Sequence, residues 1–232
     1  MIGIIGAMDA EVAGIRQEMT QVSVTRKASM DFVKGYVGTR EIVLVKCGVG
    51  KVNAAICTQV LIDDYKVDLV VNTGVAGALD ARLHIGDIVL ATDAIQHDMR
   101  AEQLGCKPGE IPYSETSCFI ADQEMNTLIR DCCAAVLPEK MVYEGRIVSG
   151  DEFVATNERK SMIFDEFHAM CTEMEGAAIA QAASQNHIRF VIMRAISDQA
   201  DDCAEVDFPT FVEEASKQSV KLILSLLKAM KQ

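Results

Sequence analysis

Short apolar runs and amphipathic stretches take turns along almost the whole chain. The runs Ile2 to Gly6 (IGIIG), Ala169 to Thr172 (AMCT) and Phe190 to Ile196 (FVIMRAI) are rich in β-branched or other apolar residues and read as buried strands. Asp31 to Lys46 reads as two strands turning at Gly38-Thr39, and DLVVNTG and DIVLATDAI read as two more. Gly74 to Leu79 is expected to be a glycine-rich turn, Val142 to Ser149 an extended segment, and His97 to Ser117 a polar loop. Val12, Ile15 and Met19 recur at helical spacing over Asp9 to Met19, and the turn Gly48-Val49-Gly50 runs into an amphipathic stretch ending at Tyr65. Asp122 to Val136, Asn157 to Phe164, Glu175 to Asn186 and about Asp207 to Lys228 also read as helices. This alternation predicts an α/β fold with a central sheet between helices, and the hairpin makes the sheet mixed. No linker, charge block, low-complexity stretch or repeat interrupts it, so residues 1–232 are expected to form a single domain.

Half of the 232 residues are apolar, enough for a sizeable core. The formal charge of −12 opposes binding to nucleic acid or to an anionic membrane surface, and no basic patch offsets it. The first residues, MIGIIGAMDAEV, lack a basic leader and turn acidic early, so a cytoplasmic location without a membrane anchor is expected. Eight cysteines are scattered without a CxxC pair, which favours reduced core thiols over disulfides or zinc. The four histidines show no metal-ligand spacing, and neither GxGxxG nor GxxxxGK[ST] is complete, so no metal and no cofactor are expected. Cys171 falls near the expected site but has no sequence-local base to make it a nucleophile.

Three acids, Glu11, Glu175 and Asp198, each follow one of the apolar runs within a few residues. In open α/β sheets ligands bind at such strand ends, so three distant stretches can meet at one cleft. Each has a plainer reading. Glu11 can be a first-turn helix acid, Glu173 or Glu175 can stabilise a helix start, and Ser197-Asp198 can cap a helix or form a turn. The glycine turns at Gly48 and Gly74 serve equally as tight connections or as ligand contacts. Against the plain readings, a carboxylate accepts two hydrogen bonds side by side, which suits the cis diol of a ribose.

The segments IGIIGAMDAEV, KCGVGKVNAA, NTGVAGAL, GDIV, SGDEFV, TEMEGAAIA and RAISDQAD closely resemble, in this order, the bacterial 5'-methylthioadenosine/S-adenosylhomocysteine nucleosidases of the nucleoside phosphorylase superfamily. The resemblance runs from Met1 to about Leu227. It implies a three-layer αβα sandwich, a homodimer, and hydrolysis of the bond between adenine and a 5'-thio-substituted ribose in methionine salvage and the recycling of S-adenosylmethionine by-products. By position, Asp198 resembles the acid that protonates adenine N7, and Glu11 the carboxylate that activates water, with Arg194 near that water. Glu175 and the Met174 backbone match the ribose grip, and the Val154 backbone reads adenine while Phe153 stacks on it. Gly77 falls on a ligand-contacting turn, and Met8, Val49 and Phe208 on the apolar walls about ribose and thioether. Ser197 and Glu173, beside the acids, join the expected substrate contacts, and the loop near Ala101 and Pro112 resembles a piece lent to the neighbouring subunit. The sequence departs from the family pattern at Val75 and Cys47, where serine is common.

The implied chemistry sets a requirement on charge. Breaking the N-glycosidic bond builds positive charge on the sugar and negative charge on the base, so a proton donor at the base and carboxylates beneath the sugar both lower the barrier. Asp198 must hold a proton and Glu11 must release one, so their environments are expected to push in opposite directions. Two rivals remain open. A phosphorylase needs a cationic cluster where this chain carries Asp9 and Glu11, and an idle nucleoside-binding protein would ordinarily lack one of the three acids.

Overall fold

The computed structural model describes residues 1–230. Its strands are β1 (Ile2–Gly6), β2 (Thr20–Lys27), β3 (Met30–Val37), β4 (Arg40–Lys46), β5 (Leu69–Ala78), β6 (Ile88–Gln96), β7 (Phe119–Ile120), β8 (Val142–Ser149), β9 (Cys171–Glu173) and β10 (Arg189–Asp198). The helices are α1 (Asp9–Gln17), α2 (Lys51–Tyr65), α3 (Gln123–Val136), α4 (Asn157–Phe167), α5 (Gly176–Gln185) and α6 (Ala204–Ala229).

All ten strands belong to one mixed sheet. Strand β5 is its hub, parallel to β1 on one side and to β10 on the other, with β9 antiparallel to its last residues. Because β10 pairs with β6, β6 with β8 and β8 with β9, the strands β5, β10, β6, β8 and β9 close into a ring. The hairpin strands β4, β3 and β2 extend outward from β1.

Helices cover both faces, as the αβα sandwich requires. Strand β1 shows how: Ile2 and Ile4 join a core built with α1, α3 and α6, while Ile5 points to the opposite core with α2 and α5. A third, smaller cluster joins Ile163 and Phe167 of α4 to Val154 and Ala200.

The structure departs from the sequence reading at three places. Gly74 to Leu79 is not a turn: β5 runs on through Ala78, buried along its whole length. Glycine in an apolar context suggested a break, but in the centre of a ring the small residues make room for neighbours. Strand β2 was missed altogether, because it is an edge strand exposed along nearly all its length and so carries no apolar run. Helix α6 also starts earlier than expected, at Ala204, because its first turn alternates apolar residues with the acids Glu205 and Asp207 and shows no helical apolar spacing.

Candidate active site

The carboxyl ends of β1, β5 and β10 lie side by side, and each delivers an acid or the space for one. Glu11 sits in the first turn of α1, directly after β1. Its Oε2 accepts the N–H groups of Ala7 at 2.6 Å and Met8 at 3.0 Å, so it does cap its helix. Its Oε1 reaches across to β5 and accepts the Val75 N–H at 3.2 Å. Glu11 therefore both caps α1 and links it to β5.

Asp198 ends β10. The register there slips by one residue between Ile196 and Asp198, a bulge that brings Asp198 opposite Gly77 of β5. Oδ1 accepts the Ala200 N–H at 2.9 Å and Oδ2 accepts the Ser197 hydroxyl at 2.8 Å. Burial raises the Asp198 carboxyl above its ordinary value; those two donors work against the shift, and the nearby Asp207 and Asp201 add to it.

The two glutamates flanking Met174 divide the work between them. Glu173 is consumed by structure: it accepts hydrogen bonds from Ser149 Oγ, from the Gly176 N–H at the start of α5 at 2.8 Å, and from Arg194. Glu175 accepts the Gly50 N–H at 2.7 Å on Oε1, and no described residue occupies Oε2. Burial, then the neighbouring charge of Glu173, pushes the Glu175 carboxyl up to about 8.

These groups enclose one cavity, with about 590 Å3 of empty space counted out to its open mouth. Five of its lining residues are acids (Glu11, Glu152, Glu173, Glu175 and Asp198), and none is Lys, Arg or His. The apolar part of the wall includes Met8, Val49, Val75, Met174, Phe153 and Phe208. The last two rings meet edge to face, with centroids 5.6 Å apart. Val154 lines the cavity, and its backbone N–H and C=O make no hydrogen bond to any described residue.

The family model described as Phosphorylase superfamily matches residues 1–230. A 5'-methylthioadenosine/S-adenosylhomocysteine nucleosidase of Staphylococcus haemolyticus is 39% identical to this chain, over 99% of it and 100% of that protein. The chain belongs to this nucleosidase family. Its fold matches the family's solved structures: the Neisseria meningitidis nucleosidase in complex with methylthio-immucillin-A gives a TM-score of 0.94 at 34% identity, covering 99% of each chain. The futalosine hydrolase of Helicobacter pylori strain 26695 gives 0.93 at 30% identity, covering 99% of this chain and 97% of that one.

Twelve residues expected from the sequence at a nucleosidase site line the cavity together: Met8, Glu11, Val49, Gly77, Phe153, Val154, Glu173, Met174, Glu175, Ser197, Asp198 and Phe208. Arg194 does not reach it. Its guanidinium lies fully buried behind the acids, bonded to Glu173 and to Asn72, and Arg194 is the only Lys or Arg among the buried described residues. Ala101 and Pro112 also stand outside this chain's own cavity. Sequence reasoning overlooked Ala7, Ala76, Glu152 and Thr172 in the wall. The segment MDAEV signalled Glu11 but not its Ala7 backbone contact, and Thr172 shows only as a polar residue inside an apolar run.

One electrostatic expectation fails. Glu11 and Asp198 do not shift in opposite directions; burial raises both, and for Glu11 it outweighs the lowering by Arg194 and by three backbone N–H groups. Cys171 fits the plain reading, for burial pushes its thiol far up, away from the nucleophilic thiolate.

Proposed function

We propose that this chain hydrolyses the N-glycosidic bond of 5'-methylthioadenosine and S-adenosylhomocysteine, releasing adenine and the 5'-thioribose product, with residues 1–232 acting as one domain. The observation that carries this reading is the convergence of Glu11, Glu175 and Asp198 on one cavity wall, from three separate stretches of sequence. Phe153 and Phe208 offer aromatic faces to a purine, and the unengaged N–H and C=O of Val154 offer a donor and an acceptor to its edge. Asp198, with its proton held by burial, donates to N7 as the base departs. Glu175 accepts the ribose hydroxyls on its open oxygen. Glu11, ordered by three backbone N–H groups, orients and deprotonates the attacking water. Arg194 acts through Glu173 and through its positive field on Glu11, as a positioning residue.

Water rather than phosphate is the acceptor in this reading. A cavity with five acids and no cation on its wall repels a dianion. The eight unpaired cysteines suit a reducing cytoplasm.

A homodimer completes the proposal. Val49, Val52 and Ile56 present an apolar stripe at the mouth of the site and along α2, exposed by 50%, 69% and 41%. The loop from His97 to Ser117 carries Leu104 and Tyr113 outward, Tyr113 being 99% exposed, which supports a role for this loop, with Ala101 buried at its base and Pro112 near its tip, beside a second copy.

Adenine release from methylthioadenosine, S-adenosylhomocysteine, 5'-deoxyadenosine and aminodeoxyfutalosine, measured with and without phosphate, tests the reaction and ranks the substrates. Asp198→Asn is expected to lose at least about 100-fold in kcat while still binding adenine. Turnover of that variant at the native rate contradicts the assignment.

A further inference from the structure

We propose that Lys51, Asp98 and Asp151 form a positioning ring that holds the sugar-side Glu175 and the base-side segment Phe153-Val154 at a set spacing. The proposal rests on the nucleosidase reading of the site. None of the three residues lines the cavity. They come from three different segments: the start of α2, the stretch just after β6, and the stretch just after β8.

The need for the ring begins with α2. Its N-cap is Gly50, which has no side chain, its first turn contains no acid, and its first residue is Lys51, whose charge opposes the positive end of the helix. The missing acids arrive from outside. Asp151 Oδ1 accepts the Lys51 N–H at 2.8 Å, capping the helix from another segment. Asp98 Oδ1 accepts from Lys51 Nζ at 2.6 Å, and Asp98 Oδ2 accepts the Asp151 N–H at 3.0 Å. Three residues thus close a cycle of three contacts.

The cycle touches both sides of the site. Gly50, adjacent to Lys51, donates its N–H to Glu175, and Asp151 stands two residues before Phe153. Lys51 Nζ also donates to Gln96 at 2.9 Å, and Gln96 donates to Gln181 of α5, the helix that Glu175 precedes. The Lys51–Asp98 pair is mostly shielded, with side chains 16% and 25% exposed. Lys46–Asp9, at 48% and 84%, is an ordinary surface pair of little worth. Opening the ring at the Lys51–Asp98 contact leaves the Asp151 cap on α2 but removes its tether, so Gly50 and Asp151 are free to drift, and a displacement of about 1 Å in a positioning group is enough to weaken a site.

Lys51→Met and Asp98→Asn, singly and together, with Lys51→Arg as the conservative variant and Lys46→Met as the control, test this with methylthioadenosine as substrate. KM is expected to rise about tenfold in either single variant while kcat changes by less than about threefold. The double variant should be no worse than the singles, Lys51→Arg should recover most of the loss, and Lys46→Met should behave as the native chain. KM within about twofold of native in both single variants, or additive losses in the double, overturns the ring. If the native protein releases no adenine, the nucleosidase reading itself fails. The affinity for adenine then decides the ring: weaker binding in Lys51→Met supports it, and unchanged binding rejects it.

Discussion

A Cβ on Gly74 would stand 2.6 Å from Oε1 of Glu11, closer than side-chain packing allows. Three positions along the same strand, a Cβ on Gly77 would stand 2.7 Å from Oδ1 of Asp198. Strand β5 therefore carries a glycine beneath each of the two acids that the proposed reaction needs most. Gly74→Ala is expected to displace Glu11 and lower kcat/KM about 100-fold, with an overpacking loss of about 1–3 kcal/mol in denaturant unfolding. Native kinetics in a folded Gly74→Ala protein would mean that the Glu11 position is not critical.

Arg194 and Glu173 form an ion pair with both side chains almost fully buried, exposed by 2% and 4%. Removing one partner strands the other charge. Arg194→Met should destabilise the chain by about 3–5 kcal/mol, and Arg194→Met combined with Glu173→Gln should recover much of that. Chemical unfolding of Arg194→Met, Glu173→Gln and the double variant measures both effects. A mild single and an additive double would show that the pair contributes little.

Burial, and then the charge of Glu173, pushes the Glu175 carboxyl up to about 8 in the folded chain. Ribose hydroxyls donate to the ionised carboxylate, so affinity for a ribosyl ligand should improve as pH rises towards that value and level off above it. Adenine alone should show no such trend, and Glu175→Gln should abolish it. Calorimetric titration between pH 6 and about 9 gives the comparison. The same shift acts on stability with its own sign. Between the ordinary glutamate range and about 8 the folded chain keeps a proton that the unfolded chain has lost, so the contribution of Glu175 falls as pH rises through that window.

Burial raises Glu11 and Asp198 together, which shapes the rate profile. A base must be ionised and an acid protonated, so both limbs of kcat/KM against pH should lie above the ordinary carboxylate range. A profile that reaches its plateau at pH below about 5 would contradict the Glu11 role.

Phe153 is 47% exposed and leans edge-on against Phe208. Phe153→Ala should weaken adenine binding about 3- to 10-fold through loss of aromatic contact, with little change in unfolding midpoint, as equilibrium binding and melting curves can show.

Much of this site was legible before any coordinates. Glu11, Glu175 and Asp198 stand out because each follows a buried run, and the strand-end rule then predicts that they meet. The family resemblance added most of the remaining wall, including Phe208 early in α6, but not Ala7, Ala76, Glu152 or Thr172. Other features left no local trace. Strand β2 pairs with β3 through its backbone while its side chains face water, so its sequence looks like a loop. Arg194 sits in an apolar strand, and nothing nearby in sequence reveals that Glu173, 21 residues earlier, is its counter-charge.

The order of apolar runs and helical repeats by itself determined the α/β class, the mixed sheet and the three candidate acids, because those depend on local periodicity and on side-chain type. Only the tertiary structure decided that β5 passes straight through its glycines, that the strands around it close into a ring, and that Glu173 is spent on Arg194 while Glu175 is left open. It also decided the direction of the proton shifts. Burial and distances between residues far apart in sequence set these outcomes, and both come into being only when the chain packs.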